Sequence, residues 1–174
     1  GGNRMTATVG GSHTAGYLRY KSATPGVGDL CEMSGVLFVF GSFGVNDVSA
    51  LIGTTETNRN KAMGLYATRV AEILDDLQDR AVPALIIGLP PYSDGNANAQ
   101  AAQAIRHQIN PMLEGLALAV RCAYVNPWHA MVSGSTEIAV PVFAADYTDG
   151  GTGLHYSSAG AAVVATKAAA AVET

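Results

Sequence analysis

The sequence has few charged residues and no long hydrophobic run. Asp, Glu, Lys and Arg make up 14% of its 174 residues, and the net charge is −4. Because Lys and Arg form no run, an extended basic surface for nucleic acid is excluded. The apolar stretch at residues 35–45 is too short and too glycine-broken to cross a bilayer. We therefore expect neither a nucleic-acid partner nor a membrane span.

Cysteine is also scarce, with only Cys31 and Cys122. The two cysteines lack metal-ligand spacing, and no group of carboxylates and histidines has it either. We therefore expect no metal and no cofactor. The pair is compatible with one disulfide or with two buried free thiols, and the sequence leaves both open.

The start of the chain carries no recognisable leader. Residues 1–5, GGNRM, are small and polar, and we interpret them as a cloning scar or a disordered start. A removed signal peptide or a longer native N-terminus stays open. The oligomeric state is equally undetermined by the sequence.

A hydrophobic content of 48% over this length predicts one folded domain, residues 1–174. Short apolar runs alternate with segments of helical periodicity along the chain. Strands are predicted at residues 6–9, 36–40, 84–87 and 122–125. Helices are predicted at 61–80 (with Tyr66, Val70, Ile73, Leu74 and Leu77 on one face), at 97–109, at 111–120 after an Asn110 cap, and near the C-terminus after a Ser157 or Ser158 cap.

This alternation predicts an α/β fold, a three-layer α/β/α domain with a central parallel sheet. Ligands of such sheets bind at the carboxyl ends of the strands. Three polar residues stand at predicted sheet-edge positions: Ser12 after the first strand, Asn46 after the second, and His155 before the last helix.

Ser12 follows Gly10 and Gly11, which permit unusual backbone dihedrals. It is either a nucleophile held out by this pivot or merely the cap of a helix that begins near Thr14. The stretch is not the G-x-S-x-G elbow of α/β-hydrolases, because Thr14 stands at the second glycine position.

The other two residues also have ordinary interpretations. Asn46 and Asp47 suit an Asx turn between a strand and a helix. A loop histidine such as His155 is often only solvated, and it acts as a base when a partner orients its ring. Asp149 and Asp146 are the nearby acids.

In this order, the segments resemble the sequence blocks of the SGNH (GDSL-type) serine hydrolases. VGGSHTAGY resembles the first block, Gly-Asp-Ser-x-Thr/Ser-x-Gly, and GVND is similar to the third, Gly-x-Asn-Asp. LHYSSAG resembles the last block, in which the catalytic His precedes a Gly, here Gly160. The resemblance implies the flavodoxin-like fold of that family.

The resemblance also implies roles. Ser12 would be the nucleophile, His155 the base and Asp149 the acid that orients it. The backbone N–H groups of Ser12 and Gly28 and the side chain of Asn46 would form the oxyanion hole. Gly26 is the alternative to Gly28. Asp146, or a Ser–His dyad with only a backbone carbonyl, is the alternative to Asp149.

Three positions depart from the family pattern. Gly11 stands where relatives keep an Asp, the stretch between Ser12 and Asn46 is short, and Thr152 occupies the usual place of the acid. These departures keep a second hypothesis open, a catalytically degenerate carbohydrate-binding or structural module.

The favoured hypothesis is a serine esterase for short acyl groups, with a small ester or an acylated carbohydrate as substrate. Many relatives are exported, so an extracellular location is slightly favoured over the cytoplasm, and localisation is otherwise undetermined.

Overall fold

The structure, a computed structural model, describes residue 32 and residues 37–41, 55–90, 105–128 and 156–172. These segments contain three strands, three α-helices and one π-helical turn. In chain order they are β1 (Phe38–Gly41), α1 (Glu56–Asp79), β2 (Ala84–Ile87), the π turn (Ile105–Ile109), α2 (Asn110–Val120), β3 (Ala123–Val125) and α3 (Ser158–Val172). None of the described helices combines the length and hydropathy that a bilayer span requires.

The three strands form a parallel sheet in the order β1-β2-β3. Phe38 pairs with Ala84, and Leu85 pairs with Ala123. All three strands therefore end at one side of the sheet, at Gly41, Ile87 and Val125. We call these ends, with the residues that follow Ile87 and Val125, the carboxyl edge, and the opposite side the amino edge.

Helices cover both faces of this sheet. Along β2 the side chains alternate: Ile86 belongs to the core under α1 and α2, whereas Leu85 and Ile87 pack on the α3 side with Val164. Both faces of β2 are buried, which explains why its sequence is a continuous apolar run. The predicted three-layer α/β/α architecture is confirmed.

The strand predictions that fall in the described segments are confirmed within two residues. The prediction at 84–87 matches β2, while β1 begins two residues and β3 one residue later than predicted. The first predicted strand, 6–9, lies outside the described residues.

Helix α1 presents the predicted apolar face to the core. Its five predicted contact residues are all buried, namely Tyr66, Val70, Ile73, Leu74 and Leu77. The helix begins earlier than predicted, because the Thr55 side chain caps it by accepting a hydrogen bond from the Asn58 N–H at 3.4 Å. The first turn of the helix is polar and mostly exposed. It therefore lacks the periodic apolar residues that would indicate in the sequence where the helix begins.

The prediction that Asn110 caps α2 is wrong. The helix begins at Asn110 itself, and the preceding Ile109 already has helical dihedrals with no side-chain cap. The backbone runs into α2 directly from the π turn, and Pro111 lacks the N–H that a regular helix would need there. The Asn110 side chain is engaged elsewhere, as described below. Of the helix predicted at 97–109, only 105–109 falls among the described residues, and it is π-helical.

Helix α3 begins as predicted, and the two alternatives for its cap are now separated. The Ser157 hydroxyl accepts a hydrogen bond from the Gly160 N–H at 3.1 Å, and the Ser157 carbonyl accepts from the Ala161 N–H. Ser157 is therefore the cap, and Ser158 is the first helical residue.

Candidate active site

The predicted catalytic and oxyanion residues, namely Ser12, Gly26, Gly28, Asn46, Asp146, Asp149 and His155, lie outside the described residues. Two of them are close in sequence to described elements. Asn46 follows the end of β1 at Gly41, on the chain that leaves the carboxyl edge. His155 directly precedes Tyr156 and the Ser157 cap of α3.

The described part of the carboxyl edge contains a polar cluster centred on Asn110. Asn110 itself is buried, with 1% of its surface exposed. Asn110 Oδ1 accepts a hydrogen bond from the Leu89 N–H at 2.8 Å, and Asn110 Nδ2 donates to the Leu89 carbonyl at 3.0 Å. One side-chain amide thus satisfies both backbone groups of Leu89, the second residue after the end of β2. We call Leu89, Asn110, Tyr124, Asn126 and Trp128 the edge cluster.

The same cluster reaches the end of β3. Asn126 Oδ1 accepts a hydrogen bond from the Trp128 N–H at 3.0 Å and lies 3.5 Å from Asn110 Nδ2. The Tyr124 hydroxyl donates to the Asn110 carbonyl at 3.0 Å. Asn110 therefore links the chain that leaves β2 to Tyr124 in β3 and to Asn126 directly after β3.

The Tyr124 hydroxyl is a donor in this cluster and not a base. Burial, and secondly the negative charge of Glu114, hold its pKa well above the ordinary value for tyrosine. It stays protonated at neutral pH, which matches its hydrogen bond to the Asn110 carbonyl.

Gly88 lets the backbone approach the cluster closely. A Cβ at this position would lie 2.9 Å from both Asn110 Oδ1 and the Tyr124 hydroxyl oxygen. The Gly88 N–H donates to the Val125 carbonyl at 2.8 Å, which extends the pairing of β2 and β3 by one residue. Glycine is required here by space.

The indole nitrogen of Trp128 is a polar atom that makes no hydrogen bond within the edge cluster. The residue is 3% exposed, and its indole Nε1 has no hydrogen-bond partner within the part of the chain that the structure describes. Its ring packs in the core between the sheet and the helices α1 and α2.

A cavity of about 400 Å³ lies at the amino edge, away from these residues. It is lined by the starts of the strands, including Leu37, Ala84 and Cys122, and by the ends of the helices, including Val120 and Val172. In parallel sheets ligands bind at the carboxyl ends, so this cavity is not the candidate active site. Cys122 is a free thiol, and burial raises its pKa, which makes it a poor nucleophile.

Sequence reasoning missed the edge cluster. The sequence predicts a cap at Asn110, because Asn followed by Pro is typical of a helix start. One sequence signal could have indicated its role: the Asn-Pro pair lies between two segments that both have helical periodicity. If the helix is continuous there, Asn110 forms no cap, and its side-chain amide needs another hydrogen-bond partner.

Comparisons with known proteins agree with the fold described above. The model of the GDSL-like Lipase/Acylhydrolase family matches residues 3–163. A GDSL-like lipase from Bacteroides thetaiotaomicron is similar in structure, with a TM-score of 0.67 and 19% identity over 93% of this chain and 71% of that chain.

A second solved structure, of a protein from Bacteroides fragilis assigned to the acylhydrolases, gives a TM-score of 0.66 and 20% identity over 94% of this chain and 71% of that chain. At such identities the two structures establish a shared fold. A comparison with curated protein sequences gave no match.

Proposed function

Since the chain belongs to the GDSL-like lipase/acylhydrolase family, we propose that it is a serine esterase that hydrolyses short-chain acyl esters, acetyl esters among them. The observation that carries the proposal is the order of Ser12, Asn46 and His155 relative to the strands and helices. Asn46 follows β1, and His155 precedes the capped start of α3. Polar residues so placed along a parallel α/β chain converge on the carboxyl edge.

In the acylation half of the proposed reaction, Ser12 Oγ attacks the carbonyl carbon of the ester while His155 takes the serine proton. The carbonyl π electrons move onto oxygen and give a tetrahedral oxyanion. When the carbonyl re-forms, the bond to the alcohol oxygen breaks, and His155 returns its proton to the leaving alcohol. The products of this half are the free alcohol and an acyl ester on Ser12.

Deacylation repeats these steps with water. His155 removes a proton from a water molecule, which attacks the acyl carbon, and the acid leaves as Ser12 regains its proton. Asp149 orients the imidazole in this proposal. Asp146 or a backbone carbonyl would take its place if Asp149 does not reach the ring.

The oxyanion is stabilised in the proposal by three donors: the Ser12 N–H, the Gly28 N–H and the Asn46 side-chain amide. Gly26 is the alternative to Gly28. Removing one such donor typically lowers the rate by roughly 10²–10³-fold, because the charge it stabilises exists only in the transition state and intermediate.

Short acyl groups are proposed because the stretch between Ser12 and Asn46 is short for the family. A short stretch supplies fewer loops over the sheet edge and so a shallow, open cleft. Such a cleft suits small esters or acyl groups carried on a carbohydrate polymer, which cannot enter a deep pocket.

The direct test measures release of p-nitrophenol from p-nitrophenyl acetate by wild type, Ser12→Ala and Ser158→Ala. Ser158 is exposed on α3, so its variant controls for the loss of a hydroxyl in general. We expect turnover by wild type and Ser158→Ala only, together with labelling of Ser12 by a fluorophosphonate probe. A series of p-nitrophenyl esters should show falling kcat/KM as the acyl chain lengthens.

A second candidate function is a catalytically degenerate module that binds carbohydrate. It is favoured by Gly11 and Thr152, which replace the family's residues beside the nucleophile and before the histidine. Binding of an acylated glycan that survives Ser12→Ala, with neither ester turnover nor fluorophosphonate labelling by folded wild type, would select this function over the esterase.

A further inference from the structure

We propose that Asn110 is a positioning residue for the reaction, which fixes the chain leaving β2 against the chain leaving β3 at the carboxyl edge. The inference rests on the proposed function, because it assigns Asn110 a part in the same site. It also goes beyond the roles that the family resemblance implies, since the resemblance gives no role to Asn110.

The first argument is the geometry of the amide. Its oxygen faces the Leu89 N–H and its nitrogen faces the Leu89 carbonyl, at 2.8 and 3.0 Å. The reverse orientation would set donor against donor and acceptor against acceptor, so only one orientation satisfies all four groups. The pair of bonds closes a ring between side chain and backbone and holds Leu89 in both translation and rotation.

The second argument is the span of the cluster. The bonds to Leu89 cross 21 residues of sequence, and the Asn126 contact and the Tyr124 bond tie the same residue to β3. A residue that served only to satisfy its own helix would need no partners beside the ends of two different strands. The chain leaving β2 runs on through Pro90, also buried, from this fixed point.

The third argument is the π turn before α2. A π turn contains more residues than an α turn, which shifts the face that the following residues present. Ile109, the last residue of the turn, and Asn110, the residue after it, are both buried, at 0% and 1% exposure, and Leu113 follows on the same face. The irregular turn thus brings an amide to a position that an apolar residue would otherwise occupy. Such turns are frequent at functional sites.

A buried amide is also a costly way to fill the core. An apolar side chain of similar volume leaves no polar atoms to satisfy, whereas the amide requires every one of its partners in place. What the amide adds over an apolar residue is a defined position for the backbone that it binds. This is the property that the proposed substrate site at the carboxyl edge requires.

The experiment compares Asn110→Ala with Leu77→Ala. Leu77 is 1% exposed and lines the amino-edge cavity, so its truncation weakens the same core away from the carboxyl edge. Two readouts separate positioning from stability. The first is p-nitrophenyl acetate turnover per active site titrated with a fluorophosphonate, and the second is hydrogen exchange of the Leu89 and Gly88 amides.

Positioning predicts that Asn110→Ala loses about tenfold or more in kcat/KM per titrated site, while Leu77→Ala stays within about twofold of wild type. Exchange at Leu89 should rise in Asn110→Ala alone. Exchange at Gly88, whose N–H is held by Val125, should change less. If either Ala variant does not fold, Asn110→Thr, which has a similar volume but no amide, and Leu77→Val replace the two Ala variants in the same comparison.

The outcomes are distinguishable. Equal turnover per titrated site in Asn110→Ala and Leu77→Ala, with an active wild type, overturns the positioning role and leaves the esterase intact. Unchanged Leu89 exchange in Asn110→Ala overturns the restraint itself. A folded wild type with neither ester turnover nor fluorophosphonate labelling overturns the proposed function, and the positioning role with it.

Discussion

The Ser157 hydroxyl accepts the Gly160 N–H at 3.1 Å and so closes the first turn of α3 directly after the segment that contains His155. The Ser157 carbonyl accepts the Ala161 N–H at 2.9 Å in the same turn. α3 packs on Leu85, Ile87 and Val125 through residues such as Val164. The cap thus fixes the start of the helix that covers the sheet, two residues after the proposed base in the sequence.

We expect Ser157→Ala to destabilise the protein by about 1 kcal/mol, the usual cost of losing a serine cap. Ser158→Ala is the matched control, because Ser158 is exposed and already helical, and it should change the free energy of unfolding by less than about 0.5 kcal/mol. Urea unfolding at pH 7 measures both. Equal effects of the two substitutions would show that Ser157 does not act as the cap.

Substitution by alanine should lower the free energy of unfolding at Gly88 and raise it at Gly115. A Cβ at Gly88 would meet Asn110 Oδ1 and the Tyr124 hydroxyl at 2.9 Å, so Gly88→Ala must displace the edge cluster, at a cost of about 1–3 kcal/mol. Gly115 lies inside α2 with no atom within 4 Å of such a Cβ. Gly115→Ala should therefore stabilise the protein by about 0.5–1 kcal/mol.

Thermal or urea unfolding of the two glycine variants checks this prediction. A stable Gly88→Ala with the Asn110 bonds intact would mean that the backbone at the end of β2 is looser than the 2.9 Å approach implies. Loss of stability in Gly115→Ala would instead mean that this glycine has a role that its open surroundings do not show.

Asn110→Asp should destabilise the protein more at neutral pH than at acidic pH. The carboxylate could still accept the Leu89 N–H, but its second oxygen would face the Leu89 carbonyl and Asn126 Oδ1. Burial and these two oxygens raise the pKa of the new carboxyl in the folded state above its unfolded value of about 3.9. When the folded-state pKa is raised, the group contributes to the free energy of unfolding in full below its unfolded pKa. That contribution is lost as the pH rises through the folded-state pKa.

The difference in unfolding free energy between Asn110→Asp and wild type should therefore be smallest near pH 4 and grow toward pH 7. Taking the difference at each pH cancels the titration of the other carboxyls, which the two proteins share. Urea unfolding at a series of pH values measures it. A difference independent of pH would show that Asn110 Nδ2 is not needed as a donor to Leu89.

The sequence was sufficient for the parts of the fold that depend on local apolar patterns. The continuous apolar run of β2 and the five-residue face of α1 are such patterns, and both are confirmed. The polar start of α1 was missed because its signal, the Thr55 cap, is a single hydroxyl without an apolar period behind it.

The edge cluster could not be predicted for a different reason. The bonds between Asn110 and Leu89 join residues 21 positions apart, and nothing in the neighbourhood of either residue indicates the other. Ser12, Asn46 and His155 were recognised from ordered motifs, which report the chemistry of a family without the geometry of one chain. Their roles stay predictions that activity measurements decide.

Asn46 is interpreted either as an oxyanion-hole donor or as an Asx-turn residue, and the two interpretations predict different effects of Asn46→Ala on turnover and stability. As an oxyanion donor it stabilises charge that develops only after attack, so Asn46→Ala should lower kcat/KM for p-nitrophenyl acetate by about 10²–10³-fold with little change in KM. As an Asx turn it would only shape the chain after β1, and its loss would lower stability more than turnover. Asn60→Ala on the exposed face of α1 is the matched control. If Asn46→Ala keeps turnover within about threefold of wild type per titrated site, Asn46 is a turn residue, and the oxyanion hole must be built from backbone donors alone.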